Sequence, residues 1–147
     1  MKNKKVLGTI VALAFLGTSG CCTLKNKTLF EQNIDGKADV KYELVNSPLE
    51  CRSFDPDYKL TIKGKGFEWV MIDDNRDGRI NLEADDYASV KVYDESGKLR
   101  LDQRFGKSNP DQYALESMDR IYVAVLDELQ NRLPEGEKDK IPKPNTH

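Results

Sequence analysis

The chain has 147 residues, 38% of them hydrophobic, and carries 23 basic against 25 acidic side chains for a net charge of −2. That length supports one domain around a single core and not two. The acidic balance argues against a nucleic-acid partner, which needs a basic surface; the lone histidine, His147, is the last residue, so a Ser-His-Asp or Cys-His arrangement on a rigid scaffold is excluded.

At the N-terminus Lys2, Lys4 and Lys5 precede an apolar or small run over residues 6–16, followed by Gly17-Thr18-Ser19-Gly20 and Cys21. Basic, apolar and small segments in that order make a secretory signal. The apolar run is about half the roughly 20 residues a membrane-spanning helix needs, so residues 1–20 read as a signal peptide and not as an uncleaved span. The segment Leu16-Gly17-Thr18-Ser19-Gly20-Cys21 resembles the cleavage box of bacterial lipoproteins, with Thr18 where that family usually carries Leu. The resemblance implies that Cys21 becomes the acylated, palmitate-bearing first residue of an exported cell-envelope lipoprotein, held to the membrane through its lipid. Ordinary signal-peptide cleavage is the other outcome. Loss of residues 1–20 removes three lysines and no acid, leaving 20 basic against 25 acidic residues, a net −5. Cys22 and Cys51 then remain as an even pair in an oxidising compartment, where they can bridge or stay free.

Residues 21–37 are polar without a clear period and read as a tether. The domain is placed at 38–134. Val40, Tyr42 and Leu44 alternate with Asp39, Lys41 and Glu43; Tyr58, Leu60 and Ile62 alternate with Lys59, Thr61 and Lys63. Val90 and Val92 flank Lys91, and Leu99 and Leu101 flank Arg100. A period of two with a polar partner face predicts strands buried on one side, while the nearly continuous apolar run 67–72 predicts a central strand. Gly64-Lys65-Gly66 and Asp94-Glu95-Ser96-Gly97 are tight connections, so neighbouring strands pair antiparallel. After Gly106 the spacing becomes helical: Leu115, Met118, Ile121, Tyr122, Val125, Leu126, Leu129 and Leu133 share one face. Ser108 or Asn109 is the predicted cap, Pro110 lies in the first turn, and Pro134 with Gly136 forms the stop. The predicted fold is α+β: an antiparallel meander of about five strands packed by one C-terminal amphipathic helix. Residues 135–147, charged and proline-bearing, read as a disordered tail.

One loop carries chemistry: Asp73-Asp74-Asn75-Arg76-Asp77-Gly78-Arg79-Ile80-Asn81-Leu82-Glu83-Ala84-Asp85-Asp86. From Asp73, positions one, three and five are Asp, Asn and Asp, position six is Gly and position eight is Ile, a pattern that resembles the calcium loop of EF-hand and dockerin-type modules. Alternate side chains of a tightly wound loop converge, and Gly supplies the sharp turn that brings round the next carbonyl. The resemblance implies side-chain oxygens from Asp73, Asn75 and Asp77, the backbone carbonyl of Arg79, and Asn81 directly or through water. Position twelve is Ala84 where the family has an acid, leaving Glu83 or Asp85 to close the site. Calcium takes about six to eight hard oxygens, and no nitrogen or sulfur donor in the loop favours zinc or copper. The plain alternative is a polar turn whose acids face water, since Asp-Gly is a common turn signal.

A hydrolase reading would use Glu83 with Asp85 or Asp86 as paired carboxylates on a glycosidic bond. A third class is a module that binds a protein or glycan partner on an exposed sheet face. The sequence favours a non-catalytic structural or binding role with a calcium-stabilised loop, and names no partner beyond the membrane.

Overall fold

Six successive extended segments, alternating with period two most clearly in the second, third and fifth, build a single sheet. The structure is a computed structural model describing residues 26–45, 57–82 and 85–144. Its strands are β1 (Lys27–Ile34), β2 (Ala38–Val45), β3 (Asp57–Gly64), β4 (Phe67–Asp73), β5 (Tyr87–Tyr93) and β6 (Leu99–Gly106), followed by α1 (Gln112–Arg132) and the single turn α2 (Glu135–Lys138). The strands lie side by side in chain order, every neighbouring pair antiparallel. The α+β meander covered by a C-terminal helix is thus the observed architecture. Residues 1–20, Cys21, Cys22, Cys51, Glu83 and His147 lie outside the described residues.

Register explains which face is buried. Phe30, Tyr42, Leu60, Met71, Ala88 and Phe105 stand opposite one another in a row across all six strands. Tyr42, Leu60, Met71 and Ala88 in that row are fully buried. Onto it α1 lays Leu115, Met118, Tyr122, Leu126 and Leu129, spaced three or four apart and all buried. Burying a large apolar side chain contributes about 1.5–3 kcal/mol, and truncating the fully buried Leu126 to alanine should cost about 2–5 kcal/mol once the cavity is included.

Three sequence-based expectations are corrected. The sheet has a sixth strand, because Lys27–Ile34 pairs with β2 inside the segment read as a tether over 21–37. Its signal is Asp35-Gly36, both at positive φ (52° and 68°), with the amide of Lys37 donating to the carbonyl of Ile34 at 2.8 Å; Asp-Gly between two extended runs is a hairpin turn. The helix cap is Asp111, whose carboxylate accepts the Ala114 amide at 3.0 Å, because Asn109 is spent on the turn after β6, donating to the carbonyl of Arg104 at 2.7 Å. Finally, the segment read as a disordered tail over 135–147 packs as far as residue 144. Ile141 is buried in the core, Tyr58 donates its hydroxyl to the Lys140 carbonyl at 2.9 Å, and the Gln130 amide donates to the carbonyls of Lys138 and Ile141. One apolar side chain and three captured carbonyls outweigh the charged composition. Among the described residues no helix is long and apolar enough to cross a membrane.

Candidate metal centre

The 73–86 loop leaves β4 at Asp73 and re-enters the sheet at β5. Asp73 continues the inward series of Trp69 and Met71, so the alternation of β4 points its carboxylate at the core end and not at water. Asp86 is in phase with the inward Ala88 and Val90 of β5 and is only 1% exposed. Asp85, one step out of phase, is turned to solvent and pairs with Lys107 at 2.8 Å. The strand period therefore selects Asp86, and not Asp85, as the acid on the same side as Asp73. Extending the β5 alternation two residues backward identifies it from sequence.

Between these two carboxylates the loop is wound by side chains bonding the backbone two residues on. Asn75 Oδ1 accepts the Asp77 amide at 3.2 Å, and Asp77 Oδ1 accepts the Arg79 amide at 2.8 Å. Asp77 Oδ2 also takes the side-chain amides of Asn75 and Asn81, each at 3.2 Å. Two residues stand at positive φ, Gly78 (78°) and Arg76 (61°); for Arg76 that conformation costs about 1–2 kcal/mol, a strain that tends to collect at binding sites. Asp86 Oδ1 accepts the Asp74 amide at 2.8 Å and Oδ2 the Asn81 amide at 2.9 Å, closing the loop on itself.

Asp73 is the exception in this network. Its Oδ2 receives both the Gly78 amide (3.0 Å) and the Tyr122 hydroxyl (3.2 Å), while its Oδ1 is buried without a hydrogen-bond partner. Burial, followed by the nearby charge of Asp86, pushes the Asp73 carboxyl up to about 7, against the pull of the Gly78 amide and the Tyr122 hydroxyl. Asp86 is pushed up to about 6, again chiefly by burial, with the Asn81 and Asp74 amides opposing. A buried carboxylate with a bare oxygen, beside a second buried carboxylate, favours either uptake of a proton or a positive charge close by.

The outgoing limb is fastened to α1. The Arg79 guanidinium forks onto Asp119, Nε lying 3.0 Å from both carboxylate oxygens and Nη2 2.5 Å from Oδ2, and the Ile80 amide donates to Asp119 Oδ1 at 2.8 Å. Asp119 was not among the residues singled out by sequence. Nothing in a helical Asp on a mostly polar stretch marks it, although its place one turn before Tyr122 puts the two on one face.

The side-chain oxygens along the loop are carboxylate and amide, and among the described residues no group of three His, Cys, Asp or Glu side chains is placed to hold a metal ion. A thiolate or imidazole cage of the zinc type is thus not what the loop offers. Carboxylate and amide oxygens are the donor type that hard cations take, and Asp73 Oδ1 is the one among them that is buried without a hydrogen-bond partner. Of the sequence-predicted residues, Asn75, Asp77, the Arg79 amide and Asn81 are joined by hydrogen bonds through Asp77, Asp73 is tied instead to Gly78 and Tyr122, and Asp85 pairs with Lys107 at the surface. Elsewhere, a groove of about 520 Å³ opens between α1 and the β1–β2 hairpin, with Phe30, Ile34, Val40, Ile121 and Val125 among its walls. Its one guanidinium, Arg132, is engaged by Glu128 and Gln32. Comparison with family models, curated proteins and solved structures returns no match to this chain.

Proposed function

We propose that the protein is a non-catalytic, membrane-anchored lipoprotein of the cell envelope whose 73–86 loop binds calcium and thereby stabilises the domain. The observation that carries the metal part is the buried, unpartnered Oδ1 of Asp73 beside the buried Asp86. Asp73, Asn75, Asp77, the Arg79 carbonyl, Asn81 and Asp86 would hold the ion, which supplies the positive charge that two buried carboxylates lack. The anchor rests on the residues ending in Cys21, which lie outside the described region; removing the apolar signal by cleavage leaves an acidic domain on a lipid.

The paired-carboxylate hydrolase is the weaker reading. A glycosidase needs two carboxyls flanking an open cleft, but Asp86 is buried and holds two backbone amides, and Asp85 is exposed and paired with Lys107.

Thermal unfolding with millimolar calcium and with a chelator tests the proposal. At calcium 100 times the dissociation constant, binding adds about 2.7 kcal/mol and raises the midpoint by several degrees. Asp77→Ala, which removes the residue that organises the middle of the loop, should abolish the shift. The absence of any shift in the unaltered protein would reduce the loop to a polar turn.

A further inference from the structure

We infer that helix α1 belongs to the calcium site: the Tyr122 hydroxyl and the Asp119 carboxylate are positioning groups that present the loop's ligands. This rests on the calcium reading above and goes beyond the loop itself. Tyr122 touches the incoming limb and Asp119 the outgoing one, from one face of one helix.

The Tyr122 hydroxyl has one proton, donated to Asp73 Oδ2, so the 3.0 Å contact with Tyr42 is one in which Tyr42 donates. The chain Tyr42 to Tyr122 to Asp73 is buried throughout. With the Gly78 amide on the same oxygen, both donors available to Asp73 crowd onto Oδ2, and Oδ1 is left bare. A carboxylate held in that way cannot turn to share its donors between its oxygens, and its bare oxygen is presented at no further ordering cost. Asp119 does the corresponding work at the other limb. By accepting the Ile80 amide and gripping the Arg79 side chain, it fixes the peptide whose carbonyl belongs to Arg79. Groups that orient metal ligands commonly change affinity by about 10- to 100-fold when removed.

The test is calorimetric titration of calcium into the unaltered protein and into Tyr122→Phe and Tyr42→Phe, with circular dichroism to show that each is folded. Both substitutions delete one buried hydroxyl and keep the ring, so both weaken the core, but only Tyr122 touches Asp73. Tyr122→Phe should bind calcium about tenfold more weakly, and Tyr42→Phe, which touches Asp73 only through Tyr122, should weaken binding clearly less than Tyr122→Phe does. Equal affinity for Tyr122→Phe and the unaltered protein, or equal weakening in both variants, overturns the role of Tyr122 while leaving the calcium site standing. No binding by the unaltered protein removes the calcium reading and this inference with it. If Tyr122→Phe does not fold, the Asp119 variants decide. Asp119→Ala should weaken binding about tenfold, with Asp119→Asn, which keeps an oxygen for the Ile80 amide, recovering part of it. Equal affinity for Asp119→Ala and the unaltered protein overturns the inference.

Discussion

Two acidic turns in this protein use similar residues and end in opposite electrostatic states. In the β5–β6 hairpin, Asp94 stands at the surface and its carboxylate takes the Ser96 amide and hydroxyl, the Lys98 amide and the Arg100 guanidinium. The Ser96 hydroxyl and its companions hold that carboxyl below its ordinary range. In the 73–86 loop, Asp73 and Asp86 sit at the core end of the sheet, and burial lifts both. The first turn satisfies itself, whereas the second is left with a bare, buried carboxylate oxygen. What separates them is depth, set by strand phase: an acid in phase with the buried row becomes a candidate ligand, and one at a hairpin tip remains a turn residue.

Substitutions can break that contrast, and they rank by how much buried structure each removes. Asp119→Ala leaves the Ile80 amide without its acceptor and Arg79 without its carboxylate; discounted for the partly exposed Arg79, the loss is about 2–4 kcal/mol in urea unfolding. Asp73→Asn works the other way. It removes a buried charge while leaving an oxygen for Gly78 and Tyr122, so the metal-free protein should gain about 1–3 kcal/mol near neutral pH and lose its response to calcium. Gly78→Ala places a Cβ 2.9 Å from the Pro144 Cα at a φ of 78°, so it should cost about 1–2 kcal/mol and make the C-terminal segment more susceptible to proteolysis. Arg100→Ala, at the self-satisfied turn, should leave the urea midpoint and the calcium response unchanged, because its partner Asp94 keeps three other donors at the surface.

The sheet was legible because period-two alternation survives in β2, β3, β5 and part of β6, and the helix because eight apolar residues recur at helical spacing. β1 was not, since the exposed sequence of Lys27–Ile34 alternates weakly and only Asp35-Gly36 announces it. Within the site, Asp73, Asn75, Asp77, Arg79 and Asn81 were legible from local spacing alone, a property of the chain over a few residues. Asp86 needs the phase of β5 besides local spacing, and Asp119 and Tyr122 were not legible. The first is chosen by the phase of a strand that follows it, and the others by where a helix some 40 residues away in the chain comes to rest. The same distance hid the C-terminal packing, for a lone Ile141 in a charged stretch has no period to betray it.

The most direct test of the central claim, that buried carboxylates make this loop a cation site, is urea unfolding across pH 4 to 8, once with a chelator and once with saturating calcium. Asp73 and Asp86 titrate near 7 and 6 when folded against 3.8 ordinarily. The folded chain therefore holds more protons than the unfolded one across about pH 4 to 7, and these two groups make the metal-free protein less stable as pH rises through that window. A bound calcium ion would require the ionised pair, so its stabilisation should grow over the same window and offset the decline. Curves that diverge with rising pH, calcium above chelator, are the predicted result. Superimposable curves at every pH would contradict the account.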